Sequence, residues 1–366
     1  MTSQTMYGHA LSAGLSLFLV GLDCSSPAAS STFSSIPQVD DAVEVVVLPP
    51  SGIFQGGACV KTLSGALHCW TRGREGSIIT IPFSGPLNET IKGGFFRRVD
   101  KGFVEYYSYW KEPGDLNDKV AAIPMGCDLG AIEAGAPPSV ARLISGDVVL
   151  FENDPRSHPA CAGPCGPTSW VVPGLNQARS FTTGSSSQVP PVVGLLYLMD
   201  GKQMQATITD CSSAVQGEPN AYYSGAPDHI ATFASDSLAR TADGAVYARY
   251  DPHGPPCTST VAPLPAWTRL FLPPIDMLSP GVTRGSGYGG ACAREPTGAV
   301  WCWGIAASLP FIHAPLTQCS ECLSKGSDTY DCFDPTRVPE LDGAIDIDAK
   351  GCAVMADHTV KCWGEY

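Results

Sequence analysis

Three segments of this 366-residue chain repeat one pattern: ACVKTLSGALHCW at 58–70, ACAREPTGAVWCW at 291–303 and GCAVMADHTVKCW at 351–363. Each holds two cysteines ten residues apart around a turn, with a tryptophan after the second. Centring an antiparallel hairpin on each pair sets Cys59 against Cys69, Cys292 against Cys302 and Cys352 against Cys362. Facing residues in such a pair have Cα atoms about 4.5 to 5.5 Å apart, within reach of a disulfide. The loop is then Leu63-Ser64-Gly65 in the first copy, and its last position is the left-handed site of a type I turn with a glycine bulge. Gly298 fills that site in the second copy and His358 in the third, histidine being one of the few non-glycine residues enriched at positive φ.

Copies without cysteines follow the same plan. SVARLISGDVVLFE turns at Gly146, GLLYLMDGKQMQA at Gly201 and SLARTADGAVYAR at Gly244. Their expected facing pairs are Val140 with Leu150, Leu195 with Gln205 and Leu238 with Ala248, and RRVDKGFVEYYSYW fits around Gly102 with Phe96 facing Tyr106. Seven turns about fifty residues apart mark a repeat. A unit of that size cannot bury its own apolar face, whereas a four-stranded sheet packed between two neighbours in a ring can. The expectation is an all-β, seven-bladed β-propeller spanning 40–366 as one domain, with long disulfide-braced loop insertions. DDAVEVVVL at 40–48 is expected to close the ring by pairing with the blade that ends at Trp363, and Trp70, Trp303 and Trp363 to pack between blades. Composition agrees: 39 glycines, 32 prolines and only 16% charged residues suit a loop-rich β protein.

GGACAREPTGAVWCWG at 289–304 and AKGCAVMADHTVKCWG at 349–364 resemble bacterial relatives of the regulator of chromosome condensation repeat, whose unit reads approximately Gly, Cys-Ala-Leu, Asp-Gly, Val, Cys-Trp-Gly. The resemblance implies a seven-bladed propeller. It also implies, as an alternative function, a regulatory propeller like the family's eukaryotic guanine-nucleotide exchange factors, although no segment matches their contact surfaces.

Residues 1–23 hold an apolar run, ALSAGLSLFLVGL at 10–22, too short for a comfortable transmembrane helix and suited to a secretion signal. No lysine or arginine precedes it, which raises the question of whether Met1 is the true start. Cys24 and the Ser/Pro/Ala-rich stretch of 24–39 follow, reading as a lipid-anchor site and a tether. Setting Cys24 aside leaves an even number of cysteines, which fits an oxidising compartment: outer membrane or cell surface, periplasm or extracellular space, against a cytoplasmic alternative. Beyond the hairpin pairs, Cys127, Cys161, Cys165, Cys211, Cys257, Cys319, Cys322 and Cys332 have no assigned connectivity. Zinc at CAGPC (161–165) or CSECLSKGSDTYDC (319–332) is the competing reading, and calcium at DGAIDID (342–348) is disfavoured because Asp346 and Asp348 alternate with isoleucines as on a half-exposed strand.

No nucleophile elbow, phosphate loop or zinc-protease motif occurs, so no catalytic residue, metal site or cofactor is assigned and a secreted propeller enzyme is the minor alternative. Asp228-His229 and Asp251-Pro252-His253, the neighbouring acid and imidazole pairs, suit turns. A net charge of −13 disfavours nucleic acid. The leading expectation is an exported, lipid-anchored, monomeric scaffold that binds a protein or glycan partner. Its candidate anchors are Tyr107, Tyr109, Trp110, Trp170, Tyr222, Tyr223 and Trp267, aromatic residues outside the repeated tryptophan position.

Overall fold

The computed structural model describes residues 33–36, 39–48, 56–71, 77–87, 95–100, 103–108, 121–124, 129–134, 139–151, 169–185, 193–199, 202–208, 218–219, 227, 229–235, 238–248, 267–281, 290–305, 309–323 and 326–363. By contacts the chain divides into Met1–Ser30 and Ser31–Tyr366, and every described residue lies in the second unit. Cys24 and the signal-like run lie outside the described residues.

The fold is an all-β propeller whose one described helix is the 3-10 turn Pro339–Leu341. Five sheets have the four-stranded form of a blade, one sheet has five strands and one has three. The strands of the first blade, Ala42–Leu48, Gly57–Thr62, Leu67–Thr71 and Ile79–Ile81, pair in chain order as an antiparallel meander. First strands of successive sheets touch one another, as Ile230–Ser235 does Met277–Pro280 and Ala344–Asp348 does Ala42–Leu48, so they are the innermost strands of the ring. The five-stranded sheet gains the hairpin of Thr317–Leu323 on Gly326–Arg337.

Hairpin register follows the expected centring in five units. Cys59 faces Cys69, Cys292 faces Cys302 and Cys352 faces Cys362. Each pair is a disulfide, with Cα atoms 4.0 to 4.1 Å apart. Val140 faces Leu150 and Leu238 faces Ala248, buried apolar pairs in place of bridges. Two expected registers are off by one. Leu195 faces Ala206 instead of Gln205, and Phe96 faces Tyr107 instead of Tyr106. In both hairpins the connection is two residues, Asp200-Gly201 and Lys101-Gly102, because Met199 pairs with Lys202 and Asp100 with Phe103. Asp-Gly at 200–201 is a sequence that favours a two-residue loop, Lys101-Gly102 shares only its glycine, and in both a loop shorter by one residue moves the facing pair by one.

In the five three-residue hairpins the turn is the same to the last bond. In the first, Gly65 N–H donates to Thr62 O at 2.9 Å and Thr62 N–H to Ala66 O at 2.9 Å, and the four others repeat both bonds. The third loop position has positive φ throughout, from 66° at His358 to 92° at Gly146. Its carbonyl then accepts an N–H from the segment leading into the next innermost strand: Leu87 N–H to Gly65 O at 2.8 Å, Ile275 N–H to Gly244 O at 2.9 Å, Gly343 N–H to Gly298 O at 2.8 Å, and Ala42 N–H to His358 O at 3.2 Å.

The Cys-Trp dipeptide explains how the blades stack. Neighbouring residues on a strand point to opposite faces, and the disulfides face the next blade while the tryptophans face the preceding one. Cys292 and Cys302 pack with Ala353, Met355 and Trp363 of the last blade, and Trp303 packs with Leu238, Val246 and Ile275 of the blade before. Trp70 packs against Val354, Cys352 and Cys362. The interfaces between blades are thus the core.

Closure differs from the expectation. The strand Ala42–Leu48 is the innermost strand of the first blade, and the last blade is completed by Ser34–Ser35, paired with Lys361 and Cys362. The run Val45-Val46-Val47 is buried on both faces, as an inner strand between two blades must be. Phe33 anchors the short strand, its ring 5.9 Å from that of Trp363 and 5.3 Å from that of Phe311. Asp346 and Asp348, expected on a half-exposed strand, are buried and accept backbone N–H groups of Val45 and Val47, each at 2.8 Å. Pairing to Gly57–Thr62 uses the alternate backbone groups of the innermost strand, and the two carboxylates take the N–H groups left over. His358 adds its ring, Nδ1–H donating to Ala42 O at 2.8 Å.

Replacing Asp348 by alanine leaves a buried N–H without its acceptor and is expected to destabilise by about 1 to 3 kcal/mol, with Asp348→Asn costing less. Urea unfolding checks this, and equal stability of D348A and wild type would exclude a role for the bond. A Cβ on Gly244 would lie 2.7 Å from Ile275 N, whereas one on Gly146 meets nothing within 4 Å. Both sites have positive φ, so Gly146→Ala is expected to cost about 1 kcal/mol and Gly244→Ala at least about twice that.

Candidate functional site

Because the first three strands of each sheet run as the same meander, the described turns between second and third strands fall at one end of the propeller, beside the segments that lead into the next innermost strands. The two are tied by the backbone bonds from Leu87, Ile275, Gly343 and Ala42. The first loop position of each described three-residue turn is apolar and exposed: Leu63, Ile144, Ala242, Pro296 and Ala356. The second is polar: Ser64, Ser145, Asp243, Thr297 and Asp357. Turn chemistry accounts for the polar position, since Asp357 Oδ1 accepts from Thr359 N–H at 3.1 Å and from Thr359 Oγ1–H at 2.6 Å, and Ser145 Oγ–H donates to Asp147 at 2.9 Å. It does not account for a leucine and an isoleucine at the tip.

The lead-in segments add Asp40, Asp41, Asp276, Glu340 and Asp342 to the carboxylates of Asp147, Asp243 and Asp357. No lysine or arginine occurs in the described turns and lead-ins. Arg294 binds Asp276 through two bonds of 2.9 and 3.0 Å, and Arg337 binds Asp342 at 2.6 Å. The Thr241 hydroxyl, then the Ala245 N–H, hold the Asp243 carboxyl below the usual carboxylate range, with Arg269 the smallest contributor. The Thr359 hydroxyl and N–H do the same for Asp357. Both groups are exposed and stay ionised in mild acid.

Three arginines behind this face escaped the sequence reading. Arg142 donates to Asn176 O at 2.8 Å and Ala178 O at 2.6 Å, Arg240 to Ile275 O at 3.2 Å, and Arg294 to Ala344 O at 3.1 Å and Ile345 O at 2.8 Å. Each stands four residues before a turn glycine and reaches carbonyls of the next blade. The signal was present as Ala-Arg-x-x-x-Gly at 141–146, 239–244 and 293–298. The buried alanine points into the core and the arginine fastens two blades.

The expected aromatic anchors are not brought together by the described geometry. Trp267 is half-buried and packs with Ile230 and Ala239, a packing role instead of an open anchor. Tyr107 lies on Phe103–Ser108 and Trp170 on Ser169–Val172, opposite Leu150, but their side chains are not among those described. Tyr109, Trp110, Tyr222 and Tyr223 lie outside the described residues, as do Asp228, Asp251 and His253. His229 is a positive-φ turn residue whose carbonyl accepts from Ala242 N–H at 3.2 Å.

Cys332 is in a disulfide, its partner outside the described side chains, so it cannot serve as the third thiolate of a zinc site. Cys319 and Cys322 lie on the strand Thr317–Leu323. Of the remaining cysteines, Cys127, Cys161, Cys165, Cys211 and Cys257 lie outside the described residues. Among the described residues no three His, Cys, Asp or Glu side chains group as metal ligands, and no helix is long and apolar enough to cross a membrane.

No protein-family model matches this sequence, and no curated protein is similar to it at the sequence level. Solved structures similar in backbone include the Cps50 (Swd1) β-propeller domain of Myceliophteria thermophila, at 11% identity and a TM-score of 0.46 over 91% of this chain and 99% of that one. Saccharomyces cerevisiae Prp20p, studied for binding Gsp1p and histones, matches at 11% identity and 0.42 over 85% and 81%. A chain of the mitotic checkpoint complex matches at 12% and 0.41 over 99% and 98%. At such scores the propeller assignment rests on the strand topology above and not on these neighbours.

Replacing Thr359 by valine removes the hydroxyl that lowers Asp357, so its carboxyl is expected to titrate at higher pH, back towards the ordinary aspartate range. A lowered native pKa contributes stability above the unfolded value that is lost as pH falls through the native one. The T359V variant should therefore lose that contribution at pH above the ordinary aspartate range and converge with wild type in strong acid, and carboxyl NMR titration checks the cause. An unmoved titration would exclude the assigned cause.

Proposed function

We propose that this chain is an exported, non-enzymatic propeller scaffold that binds a protein partner through a loop face. We take the five- and three-stranded sheets as two further blades, giving seven, and the domain as a monomer. Cys24 is the site of a lipid anchor in this reading, and the tether expected over 24–39 ends before Phe33, because Phe33 packs on Trp363 and Ser34–Ser35 completes the last blade. The Gly-Cys-Ala and Cys-Trp-Gly spacing supports membership of the regulator of chromosome condensation repeat family.

The observation that carries export is the set of buried disulfides Cys59–Cys69, Cys292–Cys302 and Cys352–Cys362, the last two sealed between two blades. Disulfides of this kind belong to oxidising compartments. They weigh against a regulatory propeller of the reducing cytosol. Protein binding is supported by the turn face, which presents large apolar side chains beside unpaired charge.

Mass spectrometry of the full chain, alkylated before lysis and digested without reduction, is expected to recover the three linked pairs and an N-terminus processed near Cys24. Fully alkylated cysteines in a cytosolic fraction would overturn export. Lipid labelling is expected to vanish in Cys24→Ala, and its persistence would remove the anchor.

A further inference from the structure

We propose that the turn face of the propeller docks a cationic, amphipathic protein segment, one that carries lysines or arginines interspersed with large apolar residues. This rests on the scaffold reading above and names its partner and its face.

The apolar half of the argument is the tips. Leu63 is 65% exposed, Ile144 is 74% exposed and Phe271 is fully exposed. Leu63 and Ile144 occupy the same repeat position on rigid, identically bonded turns. Phe271 sits at the apex of a three-residue turn closed by Leu272 N–H to Leu270 O at 2.9 Å, followed by Pro273 and Pro274. Its loop is fixed beside Asp243 by the bond from Ile275 to Gly244. Pre-organised apolar side chains lose little conformational freedom when a partner covers them.

Charge selects the occupant. Asp40, Asp41, Asp147, Asp243, Glu340 and Asp357 on the same face form no ion pair among the described residues. Arg142, Arg240 and Arg294 are spent on carbonyls and on Asp276, while Arg269 near Asp243 and Lys361 near Asp357 offset only part of the negative charge. An anionic partner, a nucleic acid or an acidic membrane surface would meet repulsion here, whereas a basic segment would be steered in and held. Hydroxyl bonds keep Asp243 and Asp357 ionised in acid, so the face holds its sign in compartments more acidic than the cytosol.

The test uses the full chain and three fluorescein-labelled peptides of equal length: alternating Lys/Leu, Lys/Ser and Glu/Leu. Fluorescence anisotropy at about 0.1 M salt is expected to give the order Lys/Leu, then Lys/Ser, with Glu/Leu not binding. The triple variant Asp147→Asn, Asp243→Asn, Asp357→Asn keeps side chains able to form the turn bonds and should weaken the Lys/Leu peptide roughly fivefold to tenfold. A control of equal charge on the hairpin extending from the other end of its sheet, Glu321→Gln, Asp328→Asn, Asp331→Asn, should change it less than about twofold. Ile144→Ser with Phe271→Ser should weaken the Lys/Leu peptide and leave Lys/Ser as it was. Matching thermal unfolding of all variants guards against misfolding. Tight Lys/Leu binding that survives the turn variants, or falls equally in the control, would overturn this inference while leaving the scaffold reading to stand. Failure of every peptide would also overturn it, and the export reading would still be judged by its own disulfide map.

Discussion

The bond on which the ring depends joins a left-handed turn residue to the blade that follows. Its carbonyl accepts an N–H from the lead-in to the next innermost strand, at Gly65, Gly244, Gly298 and His358. Much of the sequence pattern is a consequence. Positive φ points that carbonyl outward, and the close approach of the next backbone leaves no room for a Cβ at Gly65 or Gly244. Glycine is there for the neighbour as much as for the turn. At the last blade a histidine stands in, and its Cβ is tolerated because the ring itself becomes a fastener, bonding the carbonyl of the residue whose N–H it receives.

The repeats were legible because the turn and the strand parity are local. Ten residues between cysteines fixed the register, and the following tryptophan fell on the opposite face by the period of two. The same reasoning failed at Gly201 and Gly102, where a two-residue connection replaces a three-residue one. Closure was misread for a different reason. A run of valines identifies a strand buried on both faces but does not say which sheet owns it, while the true closing strand, Ser34–Ser35, has exposed side chains and almost no β signal. Its position is held by Phe33 on Trp363, a contact between residues 330 positions apart that no local pattern encodes. Asp346 and Asp348 looked like the exposed half of an amphipathic strand because alternation of Asp and Ile is the same whether water or a neighbouring backbone satisfies the carboxylates.

The candidate site was less legible than the fold. Sequence reasoning looked for aromatics away from the repeat, and the one with a described side chain, Trp267, is committed to packing. The exposed side chains that matter lie inside the repeat, at a loop position the hairpin argument treated as filler. Reading down the repeat column would have found it, because leucine, isoleucine, alanine and proline recur at one position beside a column of serine, threonine and aspartate.

The two ends of the propeller are built by different rules, which bears on where a partner can bind. Long insertions leave from the end opposite the turns, between third and outermost strands, and cysteines such as Cys161, Cys165 and Cys257 lie in those stretches. Among the described residues the turn end is short and uniform, and its three-residue turns lie within a few positions of a bond that joins two blades. Large apolar side chains placed on that end stand at a low entropic cost to order, and Arg142, Arg240 and Arg294 direct guanidinium groups back into the seams. The requirement that arginine fasten the blades therefore removes positive charge from the surface, and the negative sign of the turn face follows from how the ring is held together.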